Sequence, residues 1–260
     1  MTAAGSITGS QLIHLGVGVA VLLAVTYAVL RTAQVPLRWA PLLAILRGTI
    51  QLAAVGLALR GVLSAPPTAA AVIVVMLATA TWTAGHRLAG LQGGRRAAVI
   101  ACVCGSVVAL GVVFALGVLP FSARYVVALS GIVIGNTMTA ATLSGRNLLS
   151  GLISRRDEVE AWLSIGATAR QAIRDIGRRA AAEALVPAID QTRTTGVVTL
   201  PGAFIGALLG GANPIQAARF QLVVLAAILA AQTIVAVLVV YLLGAPETLP
   251  ADPWPAAGIT

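Results

Sequence analysis

Long apolar runs alternate with short polar segments along the chain, and this pattern predicts a bundle of membrane-crossing helices. Each run has about 17 residues or more, which is enough to cross the hydrocarbon layer of a bilayer as an α-helix. The predicted spans are residues 11–30, 41–63, 68–84, 97–119, 122–143, 195–211 and 216–243. No long linker or low-complexity stretch separates them. We therefore expect an all-α, polytopic fold with about seven transmembrane helices and one domain over residues 1–260.

The composition agrees with this pattern and excludes an ordinary soluble domain. The chain is 58% hydrophobic and only 10% charged, whereas soluble domains carry about 25% charged residues. Its 27 glycines suit helices that pack closely in lipid, because small residues let backbones approach.

The positions of the arginines predict the topology. All 17 basic residues are Arg, and 13 of them lie in the loops after the first, third and fifth spans, whereas only three, at the ends of predicted spans, are assigned to the even loops: Arg60, Arg124 and Arg219. Since cytoplasmic loops carry the excess of positive charge, the odd loops are expected in the cytoplasm and the N-terminus outside. We expect a multi-pass protein of the cell (inner) membrane. Seven full spans place the C-terminus inside, whereas a re-entrant sixth segment places it outside.

The absence of Lys from the sequence limits the chemistry that the chain can perform. A P-loop needs a Lys at the β- and γ-phosphates of its nucleotide, so this chain has no ordinary Walker ATPase of its own. We expect no catalytic residues and no cofactor in this chain. The excess of Arg lies in membrane-protein loops, so it does not indicate a nucleic-acid partner.

The longest predicted loop, residues 144–193, has the pattern of two capped helices joined by a turn. Ser154 followed by Asp157 resembles a capping box, and Thr168 followed by Gln171 resembles a second one. Gly166 between them predicts a helix stop. The predicted apolar stripes are Val159, Trp162 and Leu163 on the first helix, and Ala169, Ala172, Ile173 and Ile176 on the second. The pattern favours a docking element, and the alternative is a pair of helices that lie on the membrane surface.

Part of this loop resembles the EAA-type loop of ABC transporter permeases. The matching residues are Glu160-Ala161, Gly166 and Ile176, at the spacing of that family. Two features differ: Trp162 replaces the second Ala, and the Leu-Pro that usually follows the Ile is absent.

A closer resemblance, over nearly the whole chain, is to the FetB-like iron-export permeases of bacteria and their plant relatives linked to aluminium tolerance. The residues that carry it are Arg47, Gln51-Leu52, Gly135-Asn136, Glu158, Glu160, Gly166-Ala167-Thr168, Leu200-Pro201-Gly202, Pro214 and Gln221. The charged stretch Asp190-Gln191-x-Arg193 departs from the pattern expected before the sixth span. The resemblance implies a permease subunit, in two copies, that exports iron or a related metal or metal complex. It also implies a separate ATPase subunit that binds ATP and Mg²⁺.

If such an ATPase docks on this chain, the loop offers the contacts. We expect the residues that couple to the ATPase to be Glu158, Glu160, Trp162, Leu163, Gly166, Thr168 and Ile173. The glutamates would make charged contacts, while Trp162, Leu163 and Ile173 would anchor in an apolar groove.

Polar side chains inside the spans are candidates for the translocation pathway, because polar groups in a bilayer are costly and usually face the protein interior or a pathway. The candidates are Arg47, Gln51, Asn136, Met138 and Gln221. Hydrogen bonding between helices is the alternative role for each amide, and Arg47 could instead reach the cytoplasmic interface. Metal ligands are not evident in the pattern, so the metal site stays unknown.

A small-residue ridge lies on the sixth span, where Gly202, Gly206 and Gly210 recur every four residues. Such ridges permit close helix contact, and flexibility in a bent helix is the alternative.

Two other functions are alternatives to the ABC permease. An ATPase-independent secondary transporter of a small solute usually couples to protons through an intramembrane carboxylate or His, and the predicted spans offer no clear carboxylate. An intramembrane serine protease would need a Ser–His pair at membrane depth, and the two histidines make no such pair.

Overall fold

A computed structural model of the chain describes residues 9–37, 39–62, 66–246 and 248, and these residues form nine α-helices. The helices are α1 (Gly9–Thr32), α2 (Ala40–Val62), α3 (Pro66–Arg87), α4 (Gly94–Ala115), α5 (Ala123–Ser154), α6 (Arg156–Ser164), α7 (Ala169–Thr194), α8 (Gly202–Leu209) and α9 (Pro214–Leu243). One compact unit contains α1 and α2, and a second contains α3 to α9. The prediction of one domain over the whole chain stays a prediction.

The chain is a membrane helix bundle, as its apolar pattern predicts. Five helices are long and apolar enough to cross a bilayer, namely α1, α3, α4, α5 and α9. The described apolar stretch of α2, Ala40–Gly56, is shorter. Six of the seven predicted spans coincide with helices, and the sixth does not.

The unit of α1 and α2 presents apolar side chains outward. α1 has no buried residue, and most of its large apolar side chains are exposed. Near the turn between the two helices, the rings of Tyr27 and Trp39 lie 5.7 Å apart, and Arg31 donates a hydrogen bond to the Tyr27 hydroxyl. Exposed aliphatic faces next to an aromatic and cationic cluster are typical of helices that end at a membrane interface.

Two apolar clusters form the core of the second unit, one near each end. The first cluster joins the C-terminal parts of α3, α5 and α9 to the N-terminal part of α4 and to α6 and α7. The second joins the N-terminal parts of α5 and α9 to the C-terminal part of α4. α5 and α9 are therefore parallel, and α4 is antiparallel to both. We call the end with the first cluster the basic end, because Arg87, Arg95, Arg96, Arg155 and Arg156 lie at the helix termini there.

Glycines allow the close contacts in this unit. An added Cβ at Gly105 of α4 would lie 2.6 Å from Val235 Cγ2 and 2.9 Å from the Ala231 carbonyl oxygen of α9. Gly145 of α5 approaches Leu88, directly after the end of α3, in the same way, at 2.7 Å. Larger side chains at these positions would push the helices apart.

The structure corrects three expectations. Residues 195–211 do not form a spanning helix: α8 has only eight residues, about 12 Å, against the ~30 Å needed. α5 continues to Ser154, so the predicted loop starts inside a helix. Ser154 does not cap α6, because its hydroxyl donates to the Gly151 carbonyl oxygen of its own helix, and Arg155 is the N-cap residue without a side-chain bond.

Candidate functional site

α6, the turn after it and the start of α7 form a helix–turn–helix at the basic end. Gly166 in the turn has φ +90°, a left-handed conformation that favours glycine. Its N–H donates to the Leu163 carbonyl oxygen, and the Ala167 N–H donates to that of Trp162, so α6 ends here as predicted. Thr168 and Gln171 form the predicted capping box at the start of α7.

The predicted coupling glutamates are both paired within α6. Glu158 accepts two hydrogen bonds of 2.7 Å from the Arg155 guanidinium. Glu160 accepts one of 2.7 Å from Arg156. Each pair lies on the protein surface, so its contribution to stability is small. A docking partner would meet charge pairs here rather than free carboxylates.

The apolar residues of α6 divide between the core and the surface. Val159 is fully buried in the core cluster of the basic end, and so is Ile173 of α7. Trp162 and Leu163 are 47% and 40% exposed, and Ile165 in the turn is 74% exposed. We call Trp162, Leu163 and Ile165 the apolar tip. Ile173, predicted as part of the docking anchor, instead fixes α7 to the bundle.

Close contacts fix α7 to the two long helices. Ile176 Cγ2 lies 2.5 Å from the position that a Cβ would occupy at Gly151 of α5. Val240 Cγ1 of α9 lies 2.6 Å from the corresponding position at Gly177. The Arg170 guanidinium also lies 4.2 Å from the ring centroid of Tyr241 in the last turn of α9, a cation–π contact. The start of α7, directly after the apolar tip, is therefore held in place by α5 and α9.

Polar side chains tie α4, α5 and α9 together in the middle of the bundle. Gln232 of α9 donates a 2.9 Å hydrogen bond to Asn136 Oδ1, and Asn136 donates to the Ile132 carbonyl oxygen. Ser106 and Thr137 hydroxyls lie 3.4 Å apart. Asn136 therefore forms a hydrogen bond between two helices, which is the alternative role that the sequence offered for it.

The remaining pathway candidates take no part in the hydrogen bond between Gln232 and Asn136. Gln221 is buried, and its Oε1 has no hydrogen-bond partner among the described residues. Met138 is partly buried against the core cluster of the basic end. Arg47 and Gln51 are exposed side chains of α2 in the first unit.

The predicted glycine ridge has no packing partner among the described residues. An added Cβ at Gly202 or Gly206 would meet nothing within 4 Å, and at Gly210 it would meet only backbone carbonyl oxygens of its own helix, from Gly206 and Ala207. α8 has no buried residue. A packing role for this ridge would need a partner other than α3 to α9.

The described part of the chain contains no group of three or more His, Cys, Asp or Glu side chains that could hold a metal ion. Cys102 and Cys104 are both free thiols, the first buried and the second exposed.

Comparison with known proteins now gives the family. The model of the uncharacterised protein family UPF0014 matches residues 13–246. The chain belongs to the UPF0014 family.

Relatives of the chain come from plants and bacteria. The UPF0014 membrane protein STAR2 of Oryza sativa subsp. japonica is 33% identical over 213 residues, which are 81% of this chain and 75% of that protein. Protein ALUMINUM SENSITIVE 3 of Arabidopsis thaliana is 30% identical, over 75% of this chain and 72% of that protein. The probable iron export permease protein FetB of Escherichia coli is 29% identical, over 75% of this chain and 76% of its own. No solved structure matches the chain.

These matches confirm the resemblance deduced from the residues. The UPF0014 match extends from α1 to just past the end of α9, so it includes the helix–turn–helix and all the pathway candidates. Sequence reasoning missed Ile165, the most exposed residue of the apolar tip. Its position directly before Gly166, in a turn between two capped helices, was the available signal.

Proposed function

We propose that this chain is the membrane permease subunit of an ABC transporter that exports iron or a related metal or metal complex. A separate ATPase subunit supplies the energy and docks on the helix–turn–helix. Support for the substrate comes from the name of the FetB relative, a probable iron export permease. The observation that carries the docking proposal is the apolar tip, which is exposed to solvent although α7, the helix that follows it, is fixed to α5 and α9.

The apolar tip suits docking for a physical reason. Exposed Trp, Leu and Ile side chains are costly to leave in water and become favourable when a partner buries them, and Trp is enriched among the residues that dominate binding energy. The paired glutamates Glu158 and Glu160 lie beside the tip and supply polar edges to such an interface. Two copies of the permease would present two tips to a pair of ATPase subunits.

The charge distribution supports a cytoplasmic position for this element. The basic end of the second unit carries Arg155, Arg156, the arginines of the first half of α7 and those at the ends of α3 and α4, whereas Arg124 and Arg219 lie at the opposite end. Positive charge marks the cytoplasmic side of membrane proteins. A cysteine at Asp157, in a chain whose two natural cysteines are replaced by Ala, should resist an impermeant thiol reagent on intact cells. Strong labelling would reverse the orientation.

Reconstitution with the ATPase subunit tests the proposal. Proteoliposomes that contain both chains should transport Fe²⁺ only with ATP, and the two chains should co-purify. The double variant W162S/I165S should lose binding of the ATPase. The matched control is Leu116→Ser, which changes an apolar residue that is 75% exposed near the other end of the bundle. Equal binding by both variants would remove the docking role of the tip.

A secondary transporter remains the second candidate, and one observation favours it. A proton-coupled transporter needs a carboxylate inside the membrane. Asp190 supplies one in the segment between α5 and α9, which has to cross the membrane because the two helices are parallel. Such a transporter would work without the ATPase subunit and would stop when a proton ionophore collapses the gradient. ATP-dependent transport that is insensitive to the ionophore excludes it.

A further inference from the structure

The segment between α5 and α9 has to cross the membrane. Because the two helices are parallel, residues 155–213 begin at the basic end and finish at the opposite end, where α9 starts. The crossing is not one helix: it consists of α7, the irregular residues 195–201, and the eight-residue α8. In transporters, discontinuous crossings of this kind form the sites for substrates and ions.

The C-terminal half of α7 lies along the inner parts of α5 and α9. Among the described helices α7 contacts only α5, α6 and α9, and it meets Gly151 and Val240 three residues before α5 and α9 end. Ala184 and Ala188, further along α7, are still buried. The nine residues of α6 extend only about 14 Å, too short to reach Ala184 or Ala188 along α7. The surfaces left to bury these two residues are therefore the parts of α5 and α9 that precede Gly151 and Val240. That direction leads into the bilayer.

The residues after α7 also fit a non-aqueous environment. Val197, Val198 and Leu200 are 91%, 74% and 62% exposed, and α8 contains no polar side chain. Apolar side chains this exposed are unfavourable in water. They are favourable in lipid or against a second protein chain.

Between these two apolar parts lies a charged pair. Asp190 and Arg193 are 61% and 76% exposed, and the carboxylate Oδ1 lies 3.8 Å from the guanidinium Nη1. Asp190 follows the buried Ala188 by two residues, so it points away from α5 and α9. A charged side chain at membrane depth faces a water-filled cavity or another protein surface, because lipid does not tolerate it.

One backbone carbonyl oxygen about two helical turns before Asp190 is also without its usual donor. Pro187 lies inside α7 and has no N–H, so the Glu183 carbonyl oxygen lacks its usual helical donor. The helix ends at Thr194, after which the backbone is irregular. Irregular backbone at membrane depth is tolerated where it is buried in protein or lines a water-filled cavity.

We propose that the end of α7, from Pro187 to Thr195, lines the translocation pathway and that the Asp190 carboxylate contacts a cationic substrate there. This inference rests on the proposed transport function and names its contact. Carboxylate and carbonyl oxygens are good ligands for hard cations. Arg193 compensates the carboxylate when no cation is bound, and the paired charges explain how the exposed carboxylate is accommodated in an empty pathway.

Metal binding tests the contact. The purified permease is equilibrated with Fe²⁺ under anaerobic conditions, and the bound metal is measured for the wild type, Asp190→Asn and Asp175→Asn. Asp175→Asn makes the same charge change on an exposed residue near the start of α7. Asp190→Asn should weaken binding by about tenfold or more, since a charged contact is worth more than about 1.4 kcal/mol. Equal binding by the wild type and Asp190→Asn overturns the contact.

Accessibility tests the pathway without metal. In a chain with Cys102 and Cys104 replaced by Ala, Gln191→Cys should react with a water-soluble thiol reagent, and Ala188→Cys should not. An unreactive Gln191→Cys overturns the water-lined pathway. If ATP-dependent transport is absent but Asp190-dependent Fe²⁺ binding and this labelling pattern persist, the proposed energy coupling fails and the site stands.

Discussion

Gln232 of α9 donates a 2.9 Å hydrogen bond to the Asn136 side-chain oxygen of α5, so a polar bond joins the two parallel helices near the middle of the bundle. Hydrogen bonds of this kind in membranes are worth about 0.6 to 2 kcal/mol.

We expect Asn136→Leu and Gln232→Leu each to destabilise the bundle by about 1 kcal/mol. The double variant should cost less than the sum of the two, because neither side chain is then left without its partner. Unfolding by sodium dodecyl sulfate in mixed micelles measures the free energies. Strict additivity of the two changes would show that the bond contributes nothing.

The contact between Gly177 and Val240 should be sensitive to a single methyl group. Gly177→Ala places a Cβ 2.6 Å from Val240 Cγ1, and overpacking of this kind costs about 1 to 3 kcal/mol. Val240→Ala in the same chain should restore most of the lost stability. The control is Gly135→Ala, where nothing lies within 4 Å, and it should not lose stability, since Ala favours a helix over Gly. Thermal unfolding in detergent gives the comparison, and a harmless Gly177→Ala would contradict the packing described.

Replacement of Gly166 should uncouple the transporter without preventing its insertion. The left-handed conformation costs an L-residue about 1 to 2 kcal/mol, so Gly166→Leu reshapes the turn and misdirects the apolar tip, while α7 stays anchored by Ile173 and Ile176. ATPase binding and transport are compared with the wild type at matched protein levels. Wild-type coupling in Gly166→Leu would contradict the role of the turn, and loss of insertion would indicate that the loop only stabilises the fold.

Charge reversal at Glu160 should have the same outcome by another route. Glu160→Arg breaks the pair with Arg156 and places like charges one turn apart, which destabilises a helix by only a few tenths of a kcal/mol, about 0.2 to 0.5. The variant should therefore insert and fold, but a docking surface that has gained positive charge should bind the ATPase more weakly. Binding that stays at the wild-type level would argue that the apolar tip alone makes the interface.

Gly206→Leu should affect pairing of two permease chains rather than folding of one. Nothing within 4 Å of an added Cβ opposes the change inside the described chain, so the unfolding free energy in detergent should stay within about 0.5 kcal/mol of the wild type. If the small-residue ridge contacts a second copy, the fraction of dimer should fall. An unchanged dimer fraction in detergent or in bilayers would reject the packing role.

Hydrophobic periodicity was sufficient to predict the long helices, because a run of about 20 apolar residues has few other stable outcomes. The Thr168–Gln171 capping box and the Gly166 stop were also predictable, since each depends on a few neighbouring residues. The end of α5 at Ser154 was not predictable. The helix continues to this residue because its last turns pack against α7, and the Ser154 hydroxyl does not stop it by capping α6.

The prediction of a sixth spanning helix was wrong for a related reason. Hydropathy averages over a window, so it places a span on the apolar residues 195–211 and assigns the charged residues before them to a loop. Whether those charges lie inside or outside the bilayer depends on the parallel arrangement of α5 and α9, which is a property of tertiary packing. The division of α6 between the buried Val159 and the exposed Trp162 depends on the same long-range contacts.

The length of α5 has a mechanical consequence. It is one uninterrupted helix of 32 residues, about 48 Å long, without a proline. It contains Asn136 near its middle and ends directly before Arg155, the residue that leads into the helix–turn–helix. A force applied to the helix–turn–helix would therefore tilt α5 as a whole. Through the hydrogen bond between Asn136 and Gln232, α9 would tilt with it.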